Sequence, residues 1–317
     1  MEITLRKAFE STFHDKQSFD HFLLCDSSQS IQLFSSPKHP NAYYQPEQTL
    51  KSYLKFLNRF VFCYASVQQD VVFSYRKNHS VLQALLQHQG NHCFFKTDLK
   101  NFFNSITVSD VQNVIQTTLS KSPISDLANY TALLEGMVTK DGILPVGFPT
   151  SPAISNGVLY SIDEELAKWT LKNEVVYTRY SDDLIFSAQN NDSLKALPAI
   201  IEGLLIKYFG GRLELNPSKT YFTHSGRKLK LLGLVMLPNG QVTVSKTIKS
   251  KIETLMHYYE YDRLVFEQLL VKNFGNLSRF FGVLNYVSTV DKYYIDKLRG
   301  KYGNYLIDLF MKGKITQ

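Results

Sequence analysis

Two β-prone runs joined by an acidic turn are the feature that most limits how this chain can fold. Residues 175–180 and 183–187 are rich in β-branched and aromatic side chains, and two such runs separated by a short polar link predict a β-hairpin. A third run, residues 93–98, is apolar and ends in a carboxylate. Asp98 and the Asp182-Asp183 pair are far apart in the sequence, so only a fold that brings these strands together can join them.

The carboxylates indicate what such a fold would do. Acidic side chains crowded at neighbouring strand ends repel one another unless a cation neutralises them, and Mg²⁺ is a hard ion that binds both carboxylates and phosphates. Two such ions about 3.5–4 Å apart can activate an attacking hydroxyl and stabilise the leaving oxygen in phosphoryl chemistry. The Asp-Asp pair alone is equally typical of an ordinary polar turn, so this interpretation depends on further motifs.

The remaining pattern mixes helices with strands. Pro238-Asn239-Gly240 lies between β-prone runs and predicts a second hairpin, while the polar and proline-rich cluster at 35–41 predicts a turn. Ser109 is placed to cap a helix. Apolar periodicity predicts helices at 49–66, 80–87, 109–120, 152–169, 197–208 and from Ser245 onward. Together these elements predict an α+β fold with an antiparallel sheet and an appended helical segment.

Charge and cysteine content limit the partners and the cellular compartment that we expect for this protein. The net charge is +7 and the pI about 9.0, which suits a polyanionic partner such as nucleic acid, although solubility alone would explain the excess equally well. The three cysteines are scattered, so neither a disulfide framework nor a zinc site is indicated. No apolar run reaches the roughly 18 residues that a membrane span needs. We therefore expect a soluble, cytoplasmic protein with no membrane partner.

Several blocks follow one another in the order and spacing of one polymerase family. These blocks lie at 97–106, 144–156, 177–184, 215–220 and 230–234. With them the chain resembles, over about residues 96–235, the palm of the reverse transcriptases, in particular the bacterial retron and defence-associated enzymes. The resemblance implies a right-hand RNA-directed DNA polymerase. Its fingers with N-terminal helices would be residues 1–95, its palm 96–244 with an insertion at about 107–145, and its helical thumb 245–317.

The resemblance also implies roles for single residues. Asp98 and Asp182, with Asp183 adjacent and the backbone carbonyl of Leu99, would bind two Mg²⁺ ions, with Mn²⁺ as an alternative. Phe103 matches the aromatic gate that excludes a ribose 2′-hydroxyl, although core packing is the simpler explanation of a lone phenylalanine. The candidates for binding the incoming nucleotide are Phe103, Val146, Gly147, Lys219, Arg76 and Lys38. For the three cations among them, a solvated surface charge is the plain alternative.

Nucleic-acid contacts are expected from the catalytic turn, the primer-gripping hairpin and the thumb. The candidates are Tyr180, Gly233, Lys292, Lys297, Arg299 and Lys301. Such contacts would position a duplex through its phosphates without reading its sequence. The implied partners are an RNA template, in particular a dedicated non-coding RNA, the DNA product and dNTPs, with an effector protein or a second copy of the chain as further partners.

The chain also departs from the family pattern. Val146 stands where most reverse transcriptases carry glutamine, so we hypothesise unusual base preference or low fidelity. Two retron blocks keep only His88 and Gly233, which favours a divergent enzyme of anti-phage defence. The alternatives are template-independent or protein-primed DNA synthesis and a catalytically silent nucleic-acid-binding scaffold. An RNA-dependent RNA polymerase is a further alternative, and Phe103 argues against it.

Overall fold

The structure is a computed structural model that describes residues 3–27, 30–36, 39–226 and 229–313. The chain divides into two compact units. The first comprises Met1–Ser80 and Phe94–Phe222, and the second comprises Val81–Cys93 and Thr223–Gln317. Helices and antiparallel hairpins occur in the same chain, which confirms the predicted α+β class. The predicted boundaries of fingers, palm and thumb stay a prediction.

The helices and strands are numbered in chain order. The helices are α1 Leu5–Phe13, α2 Phe19–Leu23, α3 Gln48–Phe60, α4 Val81–Leu86, α5 Phe102–Ser105, α6 Val108–Leu119, α7 Thr131–Val138, α8 Ser151–Val158, α9 Tyr160–Lys172, α10 Asp192–Lys195, α11 Leu197–Phe209, α12 Lys246–Tyr261, α13 Arg263–Phe274, α14 Leu277–Val290, α15 Lys292–Tyr302 and α16 Asn304–Met311. The strands are β1 Ile31–Ser36, β2 His39–Pro46, β3 Cys93–Asp98, β4 Val176–Tyr180, β5 Asp183–Ala188, β6 Tyr221–His224, β7 Leu229–Leu231, β8 Leu234–Met236 and β9 Val242–Val244.

The central sheet has the strand order β4-β5-β3-β6. Strands β4 and β5 pair antiparallel, and Tyr180 lies opposite Asp183 at the last rung of the ladder, so the predicted hairpin is confirmed. Strand β3 is almost continuously buried, as the apolar run 93–98 predicts. The rings of Tyr177 and Phe186 stack across the hairpin with their centroids 4.5 Å apart. This packing fixes the register, because a slip of one residue would turn every side chain to the other face.

Three helix predictions need correction. The helix predicted at 49–66 ends at Phe60, and a short 3-10 helix at Phe62–Tyr64 follows it. The single helix predicted at 152–169 is two helices, α8 and α9, separated at Leu159, whose φ of −86° and ψ of 0° interrupt the helical backbone. The apolar periodicity runs on across this break, so the pattern does not reveal it. The cap of α6 is Thr107 rather than Ser109, because the Asp110 carboxylate accepts hydrogen bonds from the backbone amide and the hydroxyl of Thr107.

An antiparallel ribbon stands where a turn was predicted. Strands β1 and β2 pair from Ile31 opposite Pro46 to Ser36 opposite His39. The chain therefore reverses within the cluster 35–41, as predicted, while the flanks of that cluster belong to strands rather than to a loop. Prolines and small polar residues are weak strand formers, which is why the composition hid these strands. The ribbon is anchored by the Tyr44 amide, which donates a 2.7 Å hydrogen bond to the carbonyl of Val146.

The second unit contains a three-stranded sheet and most of the C-terminal helices. Its strands run β7-β8-β9, all antiparallel, so the single predicted hairpin is a meander with two turns. Leu232 and Gly233 both have positive φ, the conformation that a two-residue hairpin turn demands. Asn239-Gly240 makes the second turn, as predicted. In the described part of the chain, no helix is long and apolar enough to cross a membrane.

Candidate active site

The end of β3 lies directly against the acidic turn of the β4–β5 hairpin. The backbone amide of Leu99 donates a 3.1 Å hydrogen bond to the carbonyl of Asp182. Asp98, the last residue of β3, is only 3% exposed. The structure therefore brings Asp98 together with the Asp182-Asp183 pair, although Asp98 and Asp182 lie 84 positions apart in the sequence.

Each end of this acidic cluster has a lysine partner. Nζ of Lys219 lies 2.8 Å from Oδ2 of Asp98, and Nδ2 of Asn216 donates to the other oxygen of the same carboxylate at 3.1 Å. Nζ of Lys96 lies 2.7 Å from Oδ1 of Asp183. The hydrogen bond to Asp98 raises the pKa of Lys219, so this lysine is held as a cation. Sequence reasoning found Lys219 and missed Lys96 and Asn216.

Asp182 has a different environment. Its pKa is raised, chiefly because the carboxyl is partly removed from water and further because the charges of Asp98 and Asp183 are close by. A carboxyl whose pKa is raised by neighbouring carboxylates lies at a site that favours a cation, and oxygen donors of this kind suit Mg²⁺. Over residues 3–27, 30–36, 39–226 and 229–313, no group of three or more His, Cys, Asp or Glu side chains is arranged for a metal ion. The donor chemistry fits a divalent ion, while the side chains pair with lysines.

The turn itself has an unusual backbone. Ser181 has a φ of 59°, the left-handed conformation that L-residues other than asparagine and aspartate seldom adopt. Two side chains contact it: Nη1 of Arg179 donates to the Ser181 carbonyl at 3.0 Å, and the Tyr75 hydroxyl lies 3.0 Å from Oγ of Ser181. Tyr180, the other predicted residue of the turn, is half-buried in the ladder opposite Asp183.

Phe102 and Phe103, the two aromatic residues that follow Asp98, differ in burial. Phe102 is buried at 3% exposure, whereas Phe103 is half-buried, and their ring centroids are 5.3 Å apart. Core packing therefore describes Phe102 better than Phe103, which keeps part of its ring in solvent. The role of Phe103 as a sugar gate stays a prediction.

Gly147 is needed for a close approach between its own backbone and that of strand β2. Its φ is +106°, and a Cβ atom placed on it would lie 2.2 Å from the carbonyl oxygen of Tyr44. Any side chain at this position would therefore push strand β2 away. Val146 beside it is half-buried. The predicted approach of an incoming nucleotide to Gly147 is a separate matter and stays a prediction.

Arg76 and Lys38 are the two residues of the fingers that were predicted to contact phosphates. Arg76 donates from its guanidinium to the carbonyls of Gln69 and Val72 and to the side chain of Gln69. It is thus engaged in closing its own loop, and burial lowers its pKa. Lys38 lies outside the described residues.

The second unit contains the other predicted contacts. Gly233 occupies the β7–β8 turn. The four cations of α15 do not share one face, since at 100° per residue Lys292 and Arg299 point to one side and Lys297 and Lys301 to the other. Arg299 pairs with Asp296 and Asp308, and Lys301 lies 3.8 Å from Glu253. Their contact with nucleic acid stays a prediction.

His88, the histidine left from a worn retron block, also belongs to the second unit. Its side chain is fully buried, and burial lowers the pKa of the imidazole to about 3. The ring is therefore neutral at every physiological pH, which suits a packing role better than an acid–base role.

Comparisons with known proteins bear on the family of the chain. Residues 37–236, well over half of the chain, match the model of a family described as reverse transcriptase (RNA-dependent DNA polymerase). The chain is 25% identical to the Retron Ec83 reverse transcriptase of Escherichia coli, covering 98% of this chain and 97% of that protein. It is 27% identical to the Retron Ec73 reverse transcriptase of Escherichia coli, covering 82% of each.

The fold also resembles that of a solved polymerase. Telomerase from Candida albicans, solved with a fragment of telomeric RNA, aligns with a TM-score of 0.50 at 11% identity, covering 89% of this chain. The chain spans 59% of the telomerase chain's length. At this identity the likeness concerns the fold alone, and it confirms the predicted right-hand polymerase architecture.

Proposed function

This chain belongs to the reverse transcriptase family of RNA-directed DNA polymerases, and from that premise we propose that the cluster of Asp98, Asp182 and Asp183 is its polymerising centre. The observation that carries the proposal is the 3.1 Å hydrogen bond from the Leu99 amide to the Asp182 carbonyl, which joins the two acidic segments. The raised pKa of Asp182 supports it, because carboxylates that repel one another are the donors that a divalent cation would stabilise.

Two Mg²⁺ ions would be held by Asp98 and Asp182, with Asp183 and the carbonyl of Leu99 as further ligands, and Mn²⁺ would fit the same oxygens. When bound, such ions activate a primer 3′-hydroxyl and neutralise the charge on the departing pyrophosphate. The side chains of the protein supply the rest. Lys219, more than half exposed, is free to turn from Asp98 toward the triphosphate of a nucleotide, where its charge and proton would assist departure of pyrophosphate.

Substrate choice would depend on two neighbouring positions. The ring of Phe103 would lie under the sugar and exclude a 2′-hydroxyl, which favours dNTPs over NTPs. Val146 would contact the base pair with an aliphatic side chain that can donate no hydrogen bond, so we infer relaxed base selection. Tyr180, Gly233 and the cations of α15 would contact the primer and template, while Arg76 would act through the shape of its loop.

The template and the biological role are inferred from the relatives of the chain. The two E. coli proteins described above are retron reverse transcriptases, and we infer from this similarity that the template is a dedicated non-coding RNA and that the cDNA serves anti-phage defence in the cytoplasm. An effector protein or a second copy of the chain would be a further partner. Sequencing the RNA and DNA that copurify with the protein would test for such a template.

The decisive experiment measures incorporation of labelled dNTPs and NTPs on a primed RNA template with Mg²⁺. We expect dNTP incorporation by the wild-type protein, and a loss of roughly 100-fold or more in Asp182→Asn, the range found when one charge-stabilising group leaves an active site. Asp192→Asn is the matched control, because Asp192 is an exposed aspartate paired only with Lys195 in the contacts described. Activity that is equal in wild type and Asp182→Asn would overturn the proposal.

A further inference from the structure

A buried arginine lies directly beneath the acidic turn. Arg179 is 1% exposed and its partner Asp163 is 0% exposed. Nε of Arg179 donates to both oxygens of Asp163, at 2.9 and 3.1 Å, and Nη2 donates to Oδ2 at 2.6 Å. The Tyr177 hydroxyl donates to the same carboxylate at 2.8 Å. Asp163 therefore fixes the plane of the guanidinium from one side.

The remaining guanidinium nitrogen faces the turn. Nη1 of Arg179 donates to the Ser181 carbonyl at 3.0 Å and to Oδ1 of Asn156 at 3.1 Å. The backbone of Arg179 is fixed as well, because its amide donates to the Val71 carbonyl at 2.7 Å and its carbonyl accepts from Phe73 at 2.9 Å. Arg179 is thus held at both its main chain and its side chain, and among the hydrogen bonds of the described residues it reaches the turn through the carbonyl of Ser181.

A charged pair in this position is not explained by stability. Burying two charges costs so much solvation that a well-packed apolar pair of the same volume is often as stable or more stable. What an apolar pair cannot supply is a donor aimed at the Ser181 carbonyl. That carbonyl belongs to a residue in the left-handed conformation, with a φ of 59°, and the next residue along the chain is Asp182.

We propose that Arg179 is a positioning residue of the polymerase: through Nη1 it holds the left-handed conformation of Ser181 and so fixes the direction in which Asp182 leaves the turn. Asp163, Tyr177 and Asn156 hold Arg179 in register, and the Tyr75 hydroxyl holds the Ser181 side chain from the exposed side. Arg179 is buried beneath the turn and presents no surface to a substrate. The inference rests on the proposed role of Asp182.

The test combines one substitution that should lower activity with a second that should restore it. Arg179→Gln removes the charge-assisted contacts, and Ser181→Gly places at the turn the residue that adopts positive φ without steric cost. Each is made alone and together, and dNTP incorporation is measured as kcat, as KM for dNTP and as the Mg²⁺ concentration at half-maximal activity. We expect Arg179→Gln to lower kcat about 10- to 100-fold and to raise the Mg²⁺ requirement, with KM for dNTP nearly unchanged.

The repair distinguishes positioning from plain structural support. We expect the double variant to recover about tenfold of the lost kcat over Arg179→Gln alone, because glycine lowers the need for a side chain that enforces the turn. Arg212→Gln is the matched control, since it breaks another arginine–aspartate pair of the first unit, with Asp110, that has no contact with the turn. It should lower thermal stability without changing the Mg²⁺ requirement.

Arg179→Lys provides the second route if Arg179→Gln does not fold. A lysine keeps a cation for Asp163 but has one nitrogen where the guanidinium has three, so it cannot serve Asp163 and the Ser181 carbonyl in the same way. A folded Arg179→Lys with unchanged kcat and Mg²⁺ requirement would overturn the inference, as would a double variant no better than its Arg179 parent. If instead the wild type and Asp182→Asn have equal activity, the proposed function itself fails.

Discussion

The two ends of the acidic cluster are neutralised in different ways. At the end of β3, Asp98 is buried and its partner Lys219 has a side chain that is 55% exposed. At the hairpin turn, Asp183 is 24% exposed and its partner Lys96 only 14% exposed. An exposed lysine leaves its partner at little cost, whereas a mostly buried one does not, so Asp98 has an exchangeable counter-charge and Asp183 a fixed one. The two aspartates of the turn are therefore unequal, with Asp182 facing Asp98 and Asp183 facing Lys96.

The largest effect should separate the two aspartates that have lysine partners. We expect Asp98→Asn to lower the rate of single-nucleotide extension by roughly 100- to 1,000-fold, and Asp183→Asn by only about tenfold, because Lys96 already neutralises Asp183. Primer extension with Mg²⁺ in excess measures both rates. Equal losses of rate in the two variants would show that Asp98 and Asp183 contribute equally to catalysis, which would contradict the comparison.

The two lysines should differ in how Mg²⁺ affects their loss. Without metal, we expect Lys96→Met to reduce the free energy of unfolding by about 1–2 kcal/mol, because it leaves a partly buried carboxylate without its cation. Lys219→Met should cost a similar amount, because it leaves the more deeply buried Asp98 carboxylate with the neutral amide of Asn216 in place of a cation. Millimolar Mg²⁺ should restore the stability of Lys219→Met and not that of Lys96→Met. An ion that binds only the folded state adds stability, and beside Asp98 it would take the place of the exchangeable Lys219. Urea unfolding with EDTA or Mg²⁺ measures this, and equal recovery would contradict the comparison.

The smallest effect concerns pH. The raised pKa of Asp182 means that folding favours its protonated form, so the stability linked to this group is present at low pH and is lost as the pH rises through the folded-state pKa. In EDTA at neutral pH, Asp182→Asn should therefore unfold at a slightly higher temperature than the wild type. The difference should shrink below the ordinary pKa of an aspartate, where both proteins are uncharged at this position. A gain that is independent of pH would contradict this explanation.

The sequence predicts those parts of the fold whose signal is local. Strand β3 and the β4–β5 hairpin were predicted at nearly their observed limits, because an apolar run and an acidic turn are visible in a few adjacent residues. The break at Leu159 was missed because apolar periodicity continues across it. The β1–β2 ribbon was missed because the residues around its tip, at 35–41, are poor strand formers.

The candidate site divides in the same way. Asp98, Asp182 and Asp183 carry a sequence signal, and the structure places them together. Lys96, Asn216 and the Arg179–Asp163 pair carry little, since each acts on a partner that only the folded chain brings near. Arg179 did leave one trace, a charged residue within a β-prone run, which calls for a buried partner. The nucleotide and nucleic-acid roles of the remaining candidates stay predictions.

The docking of the β1–β2 ribbon on Val146 and Gly147 has a consequence for redesign. The ribbon contacts the backbone of this dipeptide: Val146 offers its carbonyl to Tyr44, and Gly147 offers the absence of a side chain. The side chain of residue 146 takes no part in that hydrogen bond. Given the proposed contact of residue 146 with the base pair, a library at this position would vary substrate choice on a constant scaffold, whereas one at 147 would mostly displace the ribbon. Of these two adjacent residues, residue 146 can be varied without displacing the ribbon, whereas Gly147 cannot.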